Sequence, residues 1–132
     1  IALKAERTFW EKLTILHHEH HRPAESATPP RYSRHYYDSA VMADTPIKTA
    51  ALPDRKLLSA VVEHKMRFYP RNWAKYEQAV PGTLMIMPAK AREQSLSDDY
   101  EQMKQMIFGV APTFDSILAR LQLLETEINS QS

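Results

Sequence analysis

The pattern of apolar and polar positions along the chain predicts helices and little else. Over residues 2–21, apolar positions recur every three or four residues, which places them on one face of a helix. The positions that carry this pattern are Phe9, Leu13 and Leu16. Pro23 ends the helix, and the proline-rich stretch 22–30 is predicted to be a loop. A second helix follows these prolines and runs from Arg31 to about Ala43.

The middle of the chain contains one further clear helix. Residues 44–53 include two prolines and are predicted to be a connection or a single turn. Asp54 is the predicted N-cap of a third helix that ends near Phe68. Residues 71–80 allow a short helix. The apolar run 83–87 is bounded by prolines, so it is predicted to be an extended segment against the core, or at most an edge strand.

The last third of the chain carries the most regular helical pattern. Ser95 or Ser97 is the predicted cap of a helix that Gly109 ends, and Thr113 opens the final helix. The apolar positions of this final helix are Phe114, Ile117, Leu118, Leu121, Leu124 and Ile128. The sequence therefore predicts an all-α fold, with about five or six helices in a small bundle. Residues 1–132 are interpreted as a single helical domain.

Composition narrows the class of protein. The 17 basic and 16 acidic side chains leave a net charge of +1, which is too balanced for a dedicated nucleic-acid binder, so any basic site must come from local clustering. There are no cysteines, which excludes disulfide and thiolate chemistry and fits a reducing compartment. The sequence shows no signal peptide and no apolar run of the ~18 residues that a membrane span needs. A cytoplasmic location is the default expectation.

The two glycines and the first residue also shape the interpretation. Neither Gly82 nor Gly109 belongs to a phosphate-binding glycine pattern. The chain begins at Ile1 and enters helix-forming sequence almost at once. We interpret it as the C-terminal piece of a longer protein.

The densest polar cluster lies at the end of the first predicted helix. It consists of His17, His18, Glu19, His20 and His21, all of which are metal-ligand types. The H-E-x-x-H arrangement is absent, however, and adjacent helical residues point about 100° apart. The favoured interpretation is a polar helix end whose histidines meet the negative end of the helix dipole. A metal site at His17 and His21 is the alternative.

Two further features bear on phosphate binding. Lys12 lies among apolar residues, so it is either a snorkelling or carboxylate-paired lysine or a fixed cation aimed at a phosphate. Arg31, Arg34, His35 and Asp38 are spaced to line one helical strip, flanked by tyrosines. Arginine interleaved with tyrosine can bind phosphate and stack on bases. The alternative is a tyrosine-rich core face with a solvated Arg–Asp pair.

The remaining charged groups have simpler interpretations. His64, Lys65 and Arg67 form either a basic patch for a phosphate backbone or a solvated face of the third predicted helix. Asp98 and Asp99 lie near a predicted helix start, where negative charge is favourable, and are interpreted as capping residues.

Several stretches resemble a known family. Residues 6–17 (ERTFWEKLTILH) and 30–38 (PRYSRHYYD) resemble specific segments of the AbiEii/AbiGii nucleotidyltransferase toxins. Shorter stretches resemble later segments of that family, and these are 61–65, 81–84, 99–100 and 108–114. The resemblance covers nearly the whole chain in the right order.

The resemblance implies a polymerase-β-like nucleotidyltransferase whose C-terminal helical part is this chain. In the family, an N-terminal core carries a Gly-Ser motif and a D-x-D pair that hold Mg²⁺ and the nucleoside triphosphate. Neither motif occurs here, so the core is expected to be missing and the chain to be inactive alone, without metal ligands of its own. Members act in toxin–antitoxin pairs, and some add nucleotides to tRNA 3′ ends. The cognate antitoxin, tRNA and the missing core are therefore the expected partners.

By segment-wise match, the resemblance makes Lys12 and Asp38 the catalytic lysine and aspartate. Lys12 would supply a fixed positive charge for the triphosphate, and Asp38 would either position Lys12 or orient the attacking hydroxyl. The residues expected to contact nucleotide or RNA are Arg7, Arg34, His35 and Lys65.

A non-enzymatic helical module that docks an antitoxin or RNA is the alternative function. Geometry separates the two. The enzyme hypothesis needs Lys12 and Asp38 within ~10 Å on one open face with basic neighbours, a range over which charges interact in salt solution. The module hypothesis predicts that they lie apart, or in a buried pair, with an exposed apolar patch elsewhere.

Overall fold

The computed structural model describes residues 2–107 and 109–131. Within these ranges the chain folds into six α-helices and no strands, which confirms the predicted all-α bundle. The helices are α1 (Ala2–His20), α2 (Ser33–Ala43), α3 (Pro46–Ala51), α4 (Arg55–Phe68), α5 (Glu93–Met103) and α6 (Phe114–Asn129). Ile1, and Phe108 at the start of one resembling segment, lie outside the described residues. No described helix is long and apolar enough to cross a membrane.

Helix α1 lies at the centre of the bundle and packs against α2, α3 and α4. Four apolar residues of α1 are almost wholly inaccessible, and these are Phe9, Trp10, Leu13 and Leu16. The Trp10 indole N–H donates to the Ala51 carbonyl at 3.1 Å, which satisfies a buried polar atom and ties α1 to the end of α3. On the far side of α2, α6 completes the core with its regular apolar stripe.

One predicted cap is confirmed and one is wrong. The side chain of Asp54 accepts from the Leu57 N–H, as predicted, and the side chain of Thr113, at the predicted start of the last helix, accepts from the Ser116 N–H. The predicted serine caps of α5 are interior residues instead. A 3₁₀ turn at Lys90–Arg92 leads directly into α5, so the helix starts at Glu93, before either serine.

The connections also differ from expectation. Residues 44–53 contain the six-residue helix α3, with Pro46 at its first position, where the missing N–H costs nothing. The short helix allowed at 71–80 is reduced to one 3₁₀ turn, Tyr76–Gln78, because Lys75 adopts a left-handed backbone (φ 51°) that a helix does not accommodate.

The apolar run 83–87 is extended, as predicted, and forms no strand. Its N–H groups bond to side chains of the two flanking helices. Those of Ile86 and Met87 donate to Glu125 of α6 at 2.7 and 3.2 Å, and that of Met85 donates to His17 of α1 at 3.0 Å. These side chains therefore replace the ladder that a neighbouring strand would provide.

Candidate functional site

Lys12 and Asp38 lie in contact across the α1–α2 interface. The Nζ of Lys12 is 3.1 Å from Oδ2 of Asp38. Each helix turns its apolar face inward, so these two charged residues meet at the edge of the interface. The side chains retain 27% and 24% of their accessible surface, so solvent and ligands can still reach the pair. Partial burial strengthens the attraction relative to a fully exposed ion pair.

Two more residues of α2 extend this site. The Nε of Arg34 is 3.8 Å from the same Asp38 oxygen, and the Arg34 side chain is 62% exposed. Burial lowers the pKa of His35, and the positive charge of Lys12 lowers it further, against the opposing effect of Asp38. The Asp38 carboxylate therefore faces two cations, beside an imidazole that is neutral at pH 7.

Arg7 and Lys65 both bind Glu11, the residue that precedes Lys12. The Nε of Arg7 lies 3.3 Å from the Glu11 carboxylate. The Lys65 ammonium donates to the Glu11 main-chain carbonyl at 2.8 Å, and burial lowers the pKa of Lys65 to about 8. An ammonium has three donors, and this is the single acceptor that Lys65 has among the described residues.

A cavity of about 230 Å³ lies one helical turn along α1 from Lys12, where α1, α4 and the segment 69–76 converge. Its lining residues are Ile15, His18, Tyr32, Lys65, Tyr69, Arg71 and Tyr76. Tyr32 links it to the Lys12–Asp38 pair, since its ring packs edge-on against His35 with centroids 4.7 Å apart. Four predicted site residues thus lie near one another, and they are Lys12, Asp38, Arg34 and His35. Lys65, the fifth, lines the cavity that Tyr32 shares.

Arg31 does not belong to the strip that its spacing predicts. It precedes α2 in a left-handed conformation (φ 66°), and its guanidinium pairs with Asp99 at 2.9 Å. Asp99 is a capping residue, but for α2 rather than its own helix. It accepts from the N–H groups of Arg31 and Ser33 at 2.9 and 3.3 Å, and from the Ser33 hydroxyl.

The histidine cluster forms the last turn of α1, as predicted, but it is more buried than a polar helix end requires. His17, His18 and Glu19 are almost inaccessible, whereas His20 and His21 are partly exposed. The Nε2 of His17 lies 2.8 Å from the Lys75 carbonyl, and His20 Nδ1 lies 2.8 Å from the Met87 carbonyl. Glu19 binds the Arg22 guanidinium through both oxygens. The cluster anchors the two long loops to α1.

The predicted basic patch on α4 is divided between different surfaces. Lys65 points towards α1. His64 packs against Phe68, with ring centroids 4.8 Å apart. Arg67 lines a separate groove that also contains Glu63 and Glu77. Lys65 diverges from His64 and Arg67 because neighbouring positions, and positions two apart, point to different sides of a helix.

The described residues do not fit the Mg²⁺ that the resemblance implies. Mg²⁺ takes several oxygen ligands, whereas Asp38 faces Lys12 and Arg34. Within 2–107 and 109–131, no group of three or more His, Cys, Asp or Glu residues is arranged to hold a metal ion.

Comparison with known proteins identifies the family. Residues 2–120 match the family model described as "Nucleotidyl transferase AbiEii toxin, Type IV TA system". The chain belongs to the AbiEii family. Neither the curated proteins nor the solved structures yielded a match. The family description makes AbiEii members nucleotidyl transferases of toxin–antitoxin systems, in agreement with the resemblance noted in the sequence.

The sequence did not indicate the part of this AbiEii chain that forms the cavity beside the ion pair. Tyr69, Arg71 and Tyr76 belong to a loop without helical periodicity. The one available signal was composition: a loop with two tyrosines, a tryptophan and two cations within residues 69–76.

Proposed function

We propose that the protein is a nucleotidyltransferase that adds nucleotides to RNA, with tRNA 3′ ends as the first acceptor to test. Lys12 and Asp38 contribute to its active site. The observation that carries the proposal is the half-buried 3.1 Å pair between Lys12 and Asp38 in a member of a nucleotidyl transferase family. Arg34 and His35 lie beside this pair, and Lys65 lines the cavity one helical turn along α1.

The proposed reaction is a substitution at the α-phosphorus of the nucleoside triphosphate. The acceptor hydroxyl attacks the α-phosphorus, a new phosphorus–oxygen bond forms, and the bond from the α-phosphorus to the bridging oxygen breaks. Pyrophosphate leaves, and the hydroxyl proton is released to solvent. Lys12 stabilises the charge that develops on the leaving pyrophosphate, because a fixed cation costs no reorganisation when the transition state forms.

Asp38 acts as a positioning residue in this mechanism. Its contact with Lys12 uses one of the three ammonium donors and leaves the other two for phosphate oxygens. The same carboxylate is held from the other side by Arg34. Because both partners of Asp38 are cations, positioning Lys12 suits it better than accepting the hydroxyl proton. Arg34 and Arg7 are exposed enough to contact the RNA phosphates.

The mechanism also needs a nucleotide cradle and metal ligands. The Gly-Ser motif and D-x-D pair that serve this purpose in the resembling family are not present in these 132 residues. The proposal therefore places them in a segment outside this sequence, with Lys12 and Asp38 completing a composite site.

The test is transfer of labelled nucleotide to total tRNA by the full-length protein as its gene encodes it. Lys12→Ala and Asp38→Asn are expected to reduce transfer at least about a hundredfold, or about 2.7 kcal/mol of transition-state stabilisation. Lys48→Ala is the matched control, because it breaks a comparable lysine–carboxylate pair, with Glu127 at 3.0 Å, on another surface. All variants must retain a cooperative unfolding transition. Full activity in both site variants would refute the assignment.

A docking module is the second candidate, and one observation favours it. Three large apolar side chains at the end of α4 are 48–62% exposed, and they are Met66, Phe68 and Tyr69. Such a patch is typical of a contact surface. If the full-length protein transfers no nucleotide to any acceptor but binds RNA or antitoxin through this patch, the module hypothesis replaces the enzyme.

A further inference from the structure

The cavity between α1, α4 and segment 69–76 combines aromatic walls with cations. Tyr76 forms its interior, since only 4% of this residue is exposed. Tyr69 is 62% exposed and forms its rim, and Tyr32 lines the side that faces the Lys12–Asp38 pair. A buried core would not leave Tyr69 in water. Aromatic rings that line an open cavity are typical stacking surfaces for bases.

The size of the cavity limits its occupant. At about 230 Å³ it is below the ~300–1,000 Å³ of sites that hold drug-sized ligands. It therefore suits one planar ring system rather than a whole nucleoside triphosphate. Ile15 adds an apolar wall from α1.

The charges of the lining have a single sign. Lys65 and Arg71 both line the cavity, and the lining includes no carboxylate. The Lys65 ammonium is fixed by its bond to the Glu11 carbonyl and has two further donors. An ammonium held in one place beside an exposed guanidinium can bind the phosphate next to a stacked ring.

We propose that this cavity binds one nucleobase, stacked on Tyr32 and Tyr69, with its adjoining phosphate held by Lys65 and Arg71. The inference deepens the proposed function and rests on it, since it supposes that nucleotides or RNA are the substrates. Two sources share this chemistry: the incoming nucleoside triphosphate and the last nucleotide of a single-stranded RNA 3′ end. The position of the cavity, one helical turn from Lys12, brings either base close to the site of transfer.

The experiment measures equilibrium binding by the full-length protein, independently of catalysis. One arm titrates a dye-labelled RNA oligonucleotide with a single-stranded 3′ end, beside the same RNA with that end paired. The other arm titrates a nucleoside triphosphate with Mg²⁺ by calorimetry. The test variants are Tyr32→Leu, Tyr69→Leu and Arg71→Gln.

Matched controls change the same residue types outside the cavity. Tyr37→Leu alters a tyrosine of α2 that lines a different cavity, shared with α6. Arg67→Gln removes a cation of the neighbouring groove. Both controls should bind as the wild type does.

Each tyrosine variant is expected to weaken the binding of one of the two ligands about tenfold, within the range measured for base stacking on an aromatic ring. Loss confined to the single-stranded RNA assigns the cavity to the acceptor base, and loss confined to the triphosphate assigns it to the incoming base. Unchanged binding of both ligands, or equal losses in the controls, would overturn the inference. Suppose that Lys12→Ala and Asp38→Asn keep full transfer activity while the tyrosine variants lose binding. The roles proposed for Lys12 and Asp38 would then be refuted, but the base-binding site would be supported.

Discussion

The imidazole of His17 donates from Nε2 to the main-chain carbonyl of Lys75, over 2.8 Å, at a residue whose backbone is left-handed. Its other nitrogen, Nδ1, accepts from the Met85 N–H at 3.0 Å. An acceptor at Nδ1 fixes the tautomer, so the single proton lies on Nε2. A second proton would break the bond to Met85 inside a site that water does not reach.

Stability is therefore expected to fall as the medium is acidified below pH 6.5. Burial lowers the pKa of His17, His21 and His35, and that of His21 to about 4. Between these values and the unfolded value of about 6.5, the unfolded chain binds more protons, so the free energy of unfolding decreases as pH decreases. Urea unfolding at several pH values between about 7.5 and 5 measures this slope.

A substitution distinguishes the contribution of the histidines to this pH dependence from that of the carboxylates. Burial raises the pKa of Glu19, but hydrogen bonds from His18 and Arg22 outweigh it and lower this pKa to about 2. The stability that the ionised Glu19 carboxylate contributes is lost only below pH 4.5. His17→Gln should reduce the slope above pH 5, whereas His64→Gln, at an exposed position of α4, should not. Equal slopes in the wild type and His17→Gln would contradict the assignment.

Arg22→Met is expected to destabilise the fold by about 3–5 kcal/mol, because it removes the bidentate cation from the buried Glu19 carboxylate and leaves it only His18. The two side chains are only 10% and 2% exposed. The double variant Glu19→Leu, Arg22→Met should recover much of this loss, since it removes both charges. Chemical denaturation measures both. A double variant as unstable as Arg22→Met alone would show that the loss comes from packing of the arginine on Trp73.

Asp99→Ala should cost about 2 kcal/mol, which combines the loss of a helix cap with an unsatisfied buried hydroxyl at Ser33. The neighbouring Asp98→Ala is the control, because Asp98 is exposed and contacts only Gln94 of its own helix among the described residues. Thermal unfolding followed by circular dichroism compares the two. Equal losses would mean that the cross-helix cap contributes little.

Binding of phosphate-bearing ligands should weaken as the pH rises from about 7 to about 9. Burial lowers the pKa of Lys65 to about 8, so the ammonium that is proposed to hold a phosphate loses its charge in this window. Lys65→Arg should bind independently of pH over the same range, because arginine stays protonated. Titration of the labelled RNA at each pH gives the comparison.

The stability of the apo protein provides a check on the Lys65 pKa itself. Between pH 8 and 10.5 the unfolded chain binds more protons at this lysine, so its contribution to stability increases as the pH rises. Lys65→Met should lack that increase. If the two proteins respond alike to alkaline pH, the lysine titrates normally and the predicted loss of binding has no basis.

Much of the fold followed from the sequence because its helices are amphipathic and their signals are local. The caps at Asp54 and Thr113 and the apolar stripe of α6 each lie within a few residues of the element they define. The predicted start of α5 was wrong because a 3₁₀ turn, which can replace a serine cap, leads into this helix. The left-handed conformation of Lys75 interrupts the helix allowed over 71–80, and the sequence gives no sign of it.

The site was less predictable because it depends on contacts between distant residues. The resemblance selected Lys12 and Asp38, whereas spacing alone left both open. Spacing also placed Arg31 on the strip, because nothing local shows that Asp99, 68 residues later, draws it away. The cavity needs three segments to converge, so neither periodicity nor a motif could indicate it.

The cap on α2 also sets an order of events during synthesis. The Ser33 N–H donates to Asp99, which is synthesised 66 residues later. At about 5–20 residues per second, the interval is roughly 3–13 seconds. Throughout this time the nascent chain carries the first turn of α2 with its amide groups open to solvent. The ribosome therefore makes Lys12 and Asp38 early, yet the first turn of the helix that carries Asp38 is capped only when α5 arrives.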